Sequence, residues 1–205
     1  ENKESEAARK RLRAGMTVVE IGAGLGFVSA ICAKVVGAEN VVVVEANPQM
    51  LPVVRDTLAR NGAADAQVVH AAVTADVDDR EVAPFRAGKL FWGGALIKQG
   101  KRHDDQFDGS LRRITDLLTR YRPRFVIMDV EGAERALFDA PWPGFVKFVV
   151  LEMHPSKYGD KGIARIFAGL TASGFVYDPM MSSGRTVGFK RAPRAIKAAK
   201  ENAAP

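Results

Sequence analysis

The chain of 205 residues has one cysteine, Cys32, so it can form neither an internal disulfide nor a cysteine-ligated zinc site. A reducing compartment is expected, and the cytoplasm is the plain choice. No apolar run approaches the roughly 18 residues that a membrane-crossing helix needs, so no membrane span is expected. The first fifteen residues, ENKESEAARKRLRAG, are charged and lack a signal-peptide core. No internal repeat or low-complexity segment is present. The net charge of +6 is not spread over the chain. Residues 1–14 hold five basic and three acidic residues, residues 190–205 hold five and one, and twenty of each sign remain between them. The two ends therefore read as solvated and frayed. Nucleic-acid binding through the basic tail is possible on such a signal but not favoured.

What is present is a core. At 47% hydrophobic the chain can bury one sizeable interior, and a single domain is expected. Strand and helix patterns alternate along it. Met16–Ile21 is an apolar run ending in glycines, Phe27–Val36 reads as a helix closed by Gly37, and Val41–Glu45 reads as a buried strand. Pro48 opens a helix that runs to about Asn61, and Gln67–Val73 is another strand. Ser110–Tyr121 reads as an amphipathic helix with Leu111, Ile114, Leu117 and Leu118 on one face. Phe125–Asp129 and Val146–Glu152 are strands, Gly159–Ser173 is helical, and Gly174–Tyr177 and Arg185–Lys190 read as the last two strands. Such alternation implies an α/β fold, a mainly parallel sheet with helices on both faces. Ligands in these folds bind outside the carboxyl ends of the strands. Residues 74–109 interrupt the pattern with five glycines and short apolar patches such as Leu90-Phe91-Trp92, and read as an irregular insertion, either a substrate-side flap or a surface hairpin of no catalytic consequence. The expected organisation is a charged segment over 1–15, a domain over 16–190 and a basic tail over 191–205.

The first strand runs into Glu20-Ile-Gly22-Ala-Gly24-Leu-Gly26-Phe27. A glycine-rich turn between strand and helix lets backbone approach a ligand. The third glycine comes one residue early for the dinucleotide fingerprint G-x-G-x-x-G, and an acid precedes the first. An acid there repels a pyrophosphate but suits a ligand with an amino group, as on the methionine arm of S-adenosylmethionine. Glu45, at the end of the second strand, is placed to accept hydrogen bonds from ribose hydroxyls. An NAD-dependent oxidoreductase is thereby disfavoured.

Four motifs occur in order: EIGAGLGF, VVVVEANP, LARNGA and MDVEGAE, followed by LEMHP. Together, over roughly residues 16–190, the sequence resembles the FkbM family of S-adenosylmethionine-dependent methyltransferases. The resemblance implies a Rossmann-like class I methyltransferase fold, with seven strands and an antiparallel last strand. It implies that Glu20, Gly22, Gly24 and Gly26 hold the methionine arm, that Glu45 with Asn47 holds the ribose, and that Ala71 and Ala72 lie near adenine. Family members often have Asn where this chain has Gly24. They methylate hydroxyls of natural products and sugars, among others, so the resemblance does not fix the acceptor, and a hydroxyl of a small molecule or sugar is the expectation.

Methyl transfer to a hydroxyl requires alignment and removal of a proton. Asp129, Glu131, Glu152 and His154 all stand at strand ends. Asp129 and His154 are the leading catalytic candidates with Glu131 beside them, since histidine's ordinary pKa of about 6.5 suits a general base. Asp129 also suits a helix N-cap, and Glu134 reads as a surface residue paired with Arg135 or solvent. His70 reads as a packing residue at a strand end, and His103 lies in a polar loop. Asp129 with Glu152 or His154 could hold a divalent metal, although metal dependence is not the expectation. Ribose methylation of RNA and a non-catalytic cofactor-binding module are the remaining alternatives. Amino-group methylation of bases is discounted because Val130-Glu131-Gly132, not a proline-aromatic motif, follows Asp129.

Overall fold

The computed structural model describes residues 2–75, 82–86, 95–96 and 106–193. Runs of valine and isoleucine make strands where both faces are covered. Strands β1 (Val18–Ile21) and β2 (Val41–Glu45) are buried along their whole length. A seven-stranded sheet forms from these, β3 (Gln67–His70) and later strands. In chain order, β4 (Ala72–Thr74), β5 (Val82–Arg86), β6 (Ala95–Leu96) and β7 (Gln106–Arg113) form a separate small sheet. Then β8 (Phe125–Met128), β9 (Phe148–Glu152), β10 (Phe175–Tyr177) and β11 (Thr186–Arg191) complete the large one, in the order β10-β11-β9-β8-β1-β2-β3. All its pairings are parallel except those of β11, which runs against both β9 and β10. The mainly parallel seven-stranded sheet and its antiparallel last strand are as expected.

Alternation along the strands divides the core in two. Val19, Ile21, Val42, Val44, Val126 and Met128 face α4 (Ile114–Tyr121) and α5 (Pro155–Ala172). Val18, Val41, Val43, Phe125 and Ile127 face α2 (Phe27–Val36) and α3 (Leu51–Arg60), together with α1 (Asn2–Arg9). One-residue register shifts would exchange the two sets, so the pattern fixes the pairing.

Several expectations need correction. The N-terminal segment is not a frayed end: Ala7, Ala8 and Leu12 are buried against the sheet layer, and Arg11 pairs with the buried Asp178 at 2.8 Å. The third helix starts at Leu51, with Pro52 in its first turn. Pro48 lies instead in a turn in which Asn47 Oδ1 accepts the Gln49 N–H at 3.0 Å. The expected strand over 67–73 breaks in two, because the Ala71 N–H donates to the Glu45 carbonyl and the chain then leaves the large sheet to pair with β7. Residues 110–113 belong to β7 rather than to the helix, and Ile114, Leu117 and Leu118 alone form the helix's buried face. The insertion is not irregular throughout: β5 and β7 pair antiparallel from Val82↔Ser110 to Arg86↔Gln106. Leu90, Phe91, Trp92 and His103 lie outside the described residues, as do residues 194–205 of the basic tail. Among the described residues no helix is long and apolar enough to cross a membrane.

The strand order grows outward from β1 in one direction through β2 and in the other through β8. That reversal opens a crevice above the carboxyl ends of β1 and β8, where an open α/β sheet binds ligands.

Candidate active site

Gly22 is the point where the two halves touch. Its φ is +81°, a left-handed conformation that favours glycine, and a Cβ there would lie 1.8 Å from the carbonyl oxygen of Asp129. The turn after β1 and the loop after β8 thus pack backbone to backbone. The Gly22 N–H donates to the Val44 carbonyl at 2.9 Å, and the Asp129 N–H to the Ile21 carbonyl at 3.0 Å. Gly26 sits further back, where α2 begins close against Val54 of α3.

A cavity of about 1010 Å³ opens above this junction. Glu20, Gly22, Gly24, Glu45, Asn47, Ala71 and Ala72 line one side, and Asp129, Glu131, Glu152 and His154 the other. Of the residues expected to hold a cofactor, Gly26 alone is set back from its wall. Glu20 is buried and accepts a short hydrogen bond from the Ser29 hydroxyl. Glu45 accepts the N–H of Gly24 at 3.1 Å on one oxygen and that of Asn47 at 2.8 Å on the other. Burial pushes its pKa up, and these backbone donors oppose the rise. His70 packs at the strand end, with Nε2 3.0 Å from the Ala46 carbonyl.

The other side gathers carboxylates around one imidazole. His154 is 6% exposed and stands where β9 gives way to α5. Its Nδ1 lies 3.0 Å from Glu134 Oε1, and its Nε2 lies 3.5 Å from Asp129 Oδ1 and 3.7 Å from Glu131 Oε2. The Glu134 carboxylate only accepts, so in the neutral ring the 3.0 Å contact puts the proton on Nδ1, and Nε2, at 3.5 Å or more from Asp129 and Glu131, is the nitrogen that can take one up. The Glu134 hydrogen bond raises the His154 pKa, and burial opposes it. Asp129 Oδ1 is buried and accepts no hydrogen bond from the described residues. Burial and then Glu152 push the Asp129 pKa up to about 7, with His154 opposing. Glu131 is held at φ +52°, a conformation uncommon outside glycine that is enriched at functional sites.

Asp129 does not cap a helix. The turn that follows is a 3-10 helix over Ala133–Ala136, preceded by Gly132. Glu134 is not a surface residue: it is 0% exposed and is the partner of His154. Sequence reasoning also passed over Glu4, which comes from α1, lines the cavity and accepts the Thr186 hydroxyl at 2.5 Å. The only signal for Glu134 was its spacing within Asp-Val-Glu-Gly-Ala-Glu. Its partner lies twenty residues away, and nothing local announces the pairing.

Asp129, Glu152 and His154 each offer one ligand atom, all within 4.8 Å of one another. Glu152, however, already carries the Arg185 guanidinium at 2.7 Å. A divalent ion would have to displace or tolerate that cation, so the cluster fits a metal poorly.

No curated protein matches the sequence. The fold is similar to that of a precorrin-6y C5,15-methyltransferase from Geobacter metallireducens GS-15, at 16% identity and a TM-score of 0.53, covering 93% of this chain and 86% of that one. It is also similar to a ribosomal protein L11 methylase from Lactobacillus delbrueckii subsp. bulgaricus (13% identity, TM-score 0.54, 93% and 78% covered). An rRNA methylase from Streptococcus thermophilus resembles it at 12% identity and a TM-score of 0.50, with 94% and 95% covered. The methyltransferase small domain family matches residues 6–117, more than half of the chain. The chain therefore belongs to the methyltransferase small domain family and has the Rossmann-like fold of S-adenosylmethionine-dependent methyltransferases.

Proposed function

We propose that the chain transfers a methyl group from S-adenosylmethionine to a hydroxyl of a small molecule or sugar. The observation that carries this reading is the convergence, on the wall of one cavity, of His154 Nε2 with Asp129 Oδ1 and Glu131 Oε2 at 3.5 and 3.7 Å. The resemblance of the DVEGAE and LEMHP motifs to the FkbM family supports a hydroxyl acceptor.

The residues on the opposite wall suit the cofactor. Gly22 and Gly24 bring backbone to the cavity wall, Glu20 suits an amino group, and Glu45, oriented on that wall by backbone donors, suits ribose hydroxyls. When bound, the sulfonium supplies an electrophilic methyl. The chain's own residues then supply alignment and a base. His154 Nε2 takes the proton of the acceptor hydroxyl as the oxygen bonds the methyl carbon and the carbon–sulfur bond breaks, leaving the methyl ether, S-adenosylhomocysteine and an imidazolium. Asp129 and Glu131 stabilise that imidazolium.

Titration calorimetry with S-adenosylmethionine, S-adenosylhomocysteine and NAD, repeated with EDTA, tests the reading. Micromolar binding of the first two, none of NAD and no effect of EDTA are expected. Failure of both adenosyl compounds to bind sinks it. Methylation of an RNA hydroxyl is the second reading, favoured by exposed Arg135 and Lys157 on the cavity wall. Glu4, Asp129, Glu131 and Glu152 line the same cavity and oppose a polyanion. RNA affinity that falls steeply with salt would favour that reading.

A further inference from the structure

The scheme so far gives no part to Glu134. Glu134 is fully buried, which is tolerable for a charge only when it is paired and hydrogen-bonded. Its Oε2 accepts the Gly132 N–H at 2.8 Å, and its Oε1 meets His154 Nδ1 at 3.0 Å. A single carboxylate thus ties the loop after β8, which carries Asp129 and Glu131, to the end of β9, which carries His154. Tyr158 of α5 closes the clamp from the third side. Its hydroxyl accepts the backbone N–H of His154 at 2.7 Å and also bonds Glu134. We infer that Glu134 is the positioning residue of the proposed methyl transfer, fixing the His154 tautomer and turning Nε2 to the acceptor; the inference rests on reading this cavity as the methyl-transfer site.

The chemistry of the donor set requires that direction. Both oxygens of Glu134 accept from donors, Oε2 from Gly132 and Oε1 from His154. With Nδ1–H committed to Glu134, neutral His154 keeps its lone pair on Nε2, the nitrogen beside Asp129 Oδ1. Without Glu134 the ring could take either tautomer and could turn. The charges facing the imidazole are Glu134 from the 3-10 turn, Asp129 and Glu131 from the loop after β8, and Glu152 with its partner Arg185 beyond Asp129. Glu134 is the nearest and the most buried, so its field is the least screened. Burial raises the Glu134 pKa, but the His154 and Tyr158 hydrogen bonds outweigh it and hold the carboxyl below its usual range. It therefore stays ionised wherever His154 titrates.

The test reads the ring directly by nitrogen-detected NMR of the whole chain. It has three histidines, so a His154→Asn spectrum identifies the signal. In the unaltered chain, neutral His154 is expected as the Nδ1–H tautomer, titrating above the ordinary histidine value. In Glu134→Gln the midpoint falls by roughly 1 unit and the two tautomers mix, because the negative charge is gone and an NH2 donor replaces one of the two accepting oxygens. Glu134→Asp, which keeps the charge, recovers the raised midpoint in part. S-adenosylhomocysteine affinity, measured by calorimetry in each variant, stays within a few-fold. Once an acceptor is known, the rising limb of rate against pH moves to lower pH in Glu134→Gln, and its plateau drops roughly tenfold or more. An Nε2–H tautomer in the unaltered chain overturns the inference without any variant. So does a Glu134→Gln protein that binds S-adenosylhomocysteine and titrates as before. Failure of the unaltered chain to bind S-adenosylhomocysteine would instead strike the methyltransferase reading and leave the ring geometry standing.

Discussion

Replacing Gly22 by alanine tests the junction on which the cavity is built. Two penalties add. An L-residue at φ +81° costs about 1–2 kcal/mol from Cβ against its own backbone. The new Cβ would also lie 1.8 Å from the Asp129 carbonyl oxygen and 2.8 Å from its carbon, and neither is the end of a side chain that can swing away. The turn after β1 and the loop after β8 must part by more than an ångström. That strains the Gly22–Val44 and Asp129–Ile21 hydrogen bonds, each worth about 0.5–1.5 kcal/mol. A loss of about 3–5 kcal/mol is expected, a large share of the roughly 5–15 kcal/mol that holds a domain together. Gly62→Ala is the control. Gly62 also has positive φ, +71°, but a Cβ there would meet nothing within 4 Å, so only the conformational penalty of about 1–2 kcal/mol applies. Urea unfolding of both variants gives the comparison, with equal slopes confirming that the same surface unfolds. If Gly22→Ala proved no less stable than Gly62→Ala, the two loops would be free to slide apart, and the close approach would not be what demands glycine at position 22.

Asp129→Asn should stabilise the protein at alkaline pH. Burial, then Glu152, raise the carboxyl from 3.8 to about 7, so folding binds a proton more tightly than the unfolded chain does, and the associated stability is lost as pH rises from about 4 through about 7. With the side chain 40% exposed the gain at about pH 8 is discounted to roughly 1 kcal/mol, and it should shrink towards acid. Thermal melts that show the variant less stable at about pH 8 would reverse the sign of that reasoning. Glu45→Ala leaves the Gly24 and Asn47 N–H groups without their acceptor, and S-adenosylhomocysteine affinity should fall about tenfold or more by calorimetry. Unchanged affinity would remove Glu45 from the cofactor site. Arg11→Met strips the 0%-exposed Asp178 of its cation, leaving the Met180 N–H as a donor, and should lower stability by roughly 1–3 kcal/mol in urea. No loss would mean that α1 is not anchored there.

Much of the large sheet was legible because local pattern and burial agree. Val41–Glu45 and Phe27–Val36 appear with the boundaries their composition implies, since a run of valines suits a strand covered on both faces and Gly37 ends the helix in a conformation it readily adopts. Errors arose where a residue's partner is distant. The charged opening segment hides a stripe of Ala7, Ala8 and Leu12, in which the two alanines carry little hydrophobic signal and the lone leucine stands among arginines. Ser110–Arg113 belongs to a strand through the pairing of Ser110 with Val82 and of Leu111–Arg113 with Ala72–Thr74, although Leu111 fits a helical spacing just as well.

The same division runs through the site. The sequence by itself determined the glycine turn, the acid at the end of β2, and the strand ends that bring Asp129 and His154 to one rim. These follow from strand periodicity and from the rule that parallel sheets bind at their carboxyl ends. Only the tertiary structure decided which acids meet the imidazole, and in what role. Glu131 and Glu134 lie three residues apart in the same motif, and one lines the cavity while the other is sealed beneath it. The difference is set by the left-handed turn through Glu131 and Gly132 and by the packing of the 3-10 turn against α5. Both depend on contacts between segments that local pattern cannot see, and a buried charge survives only where such contacts supply its partners.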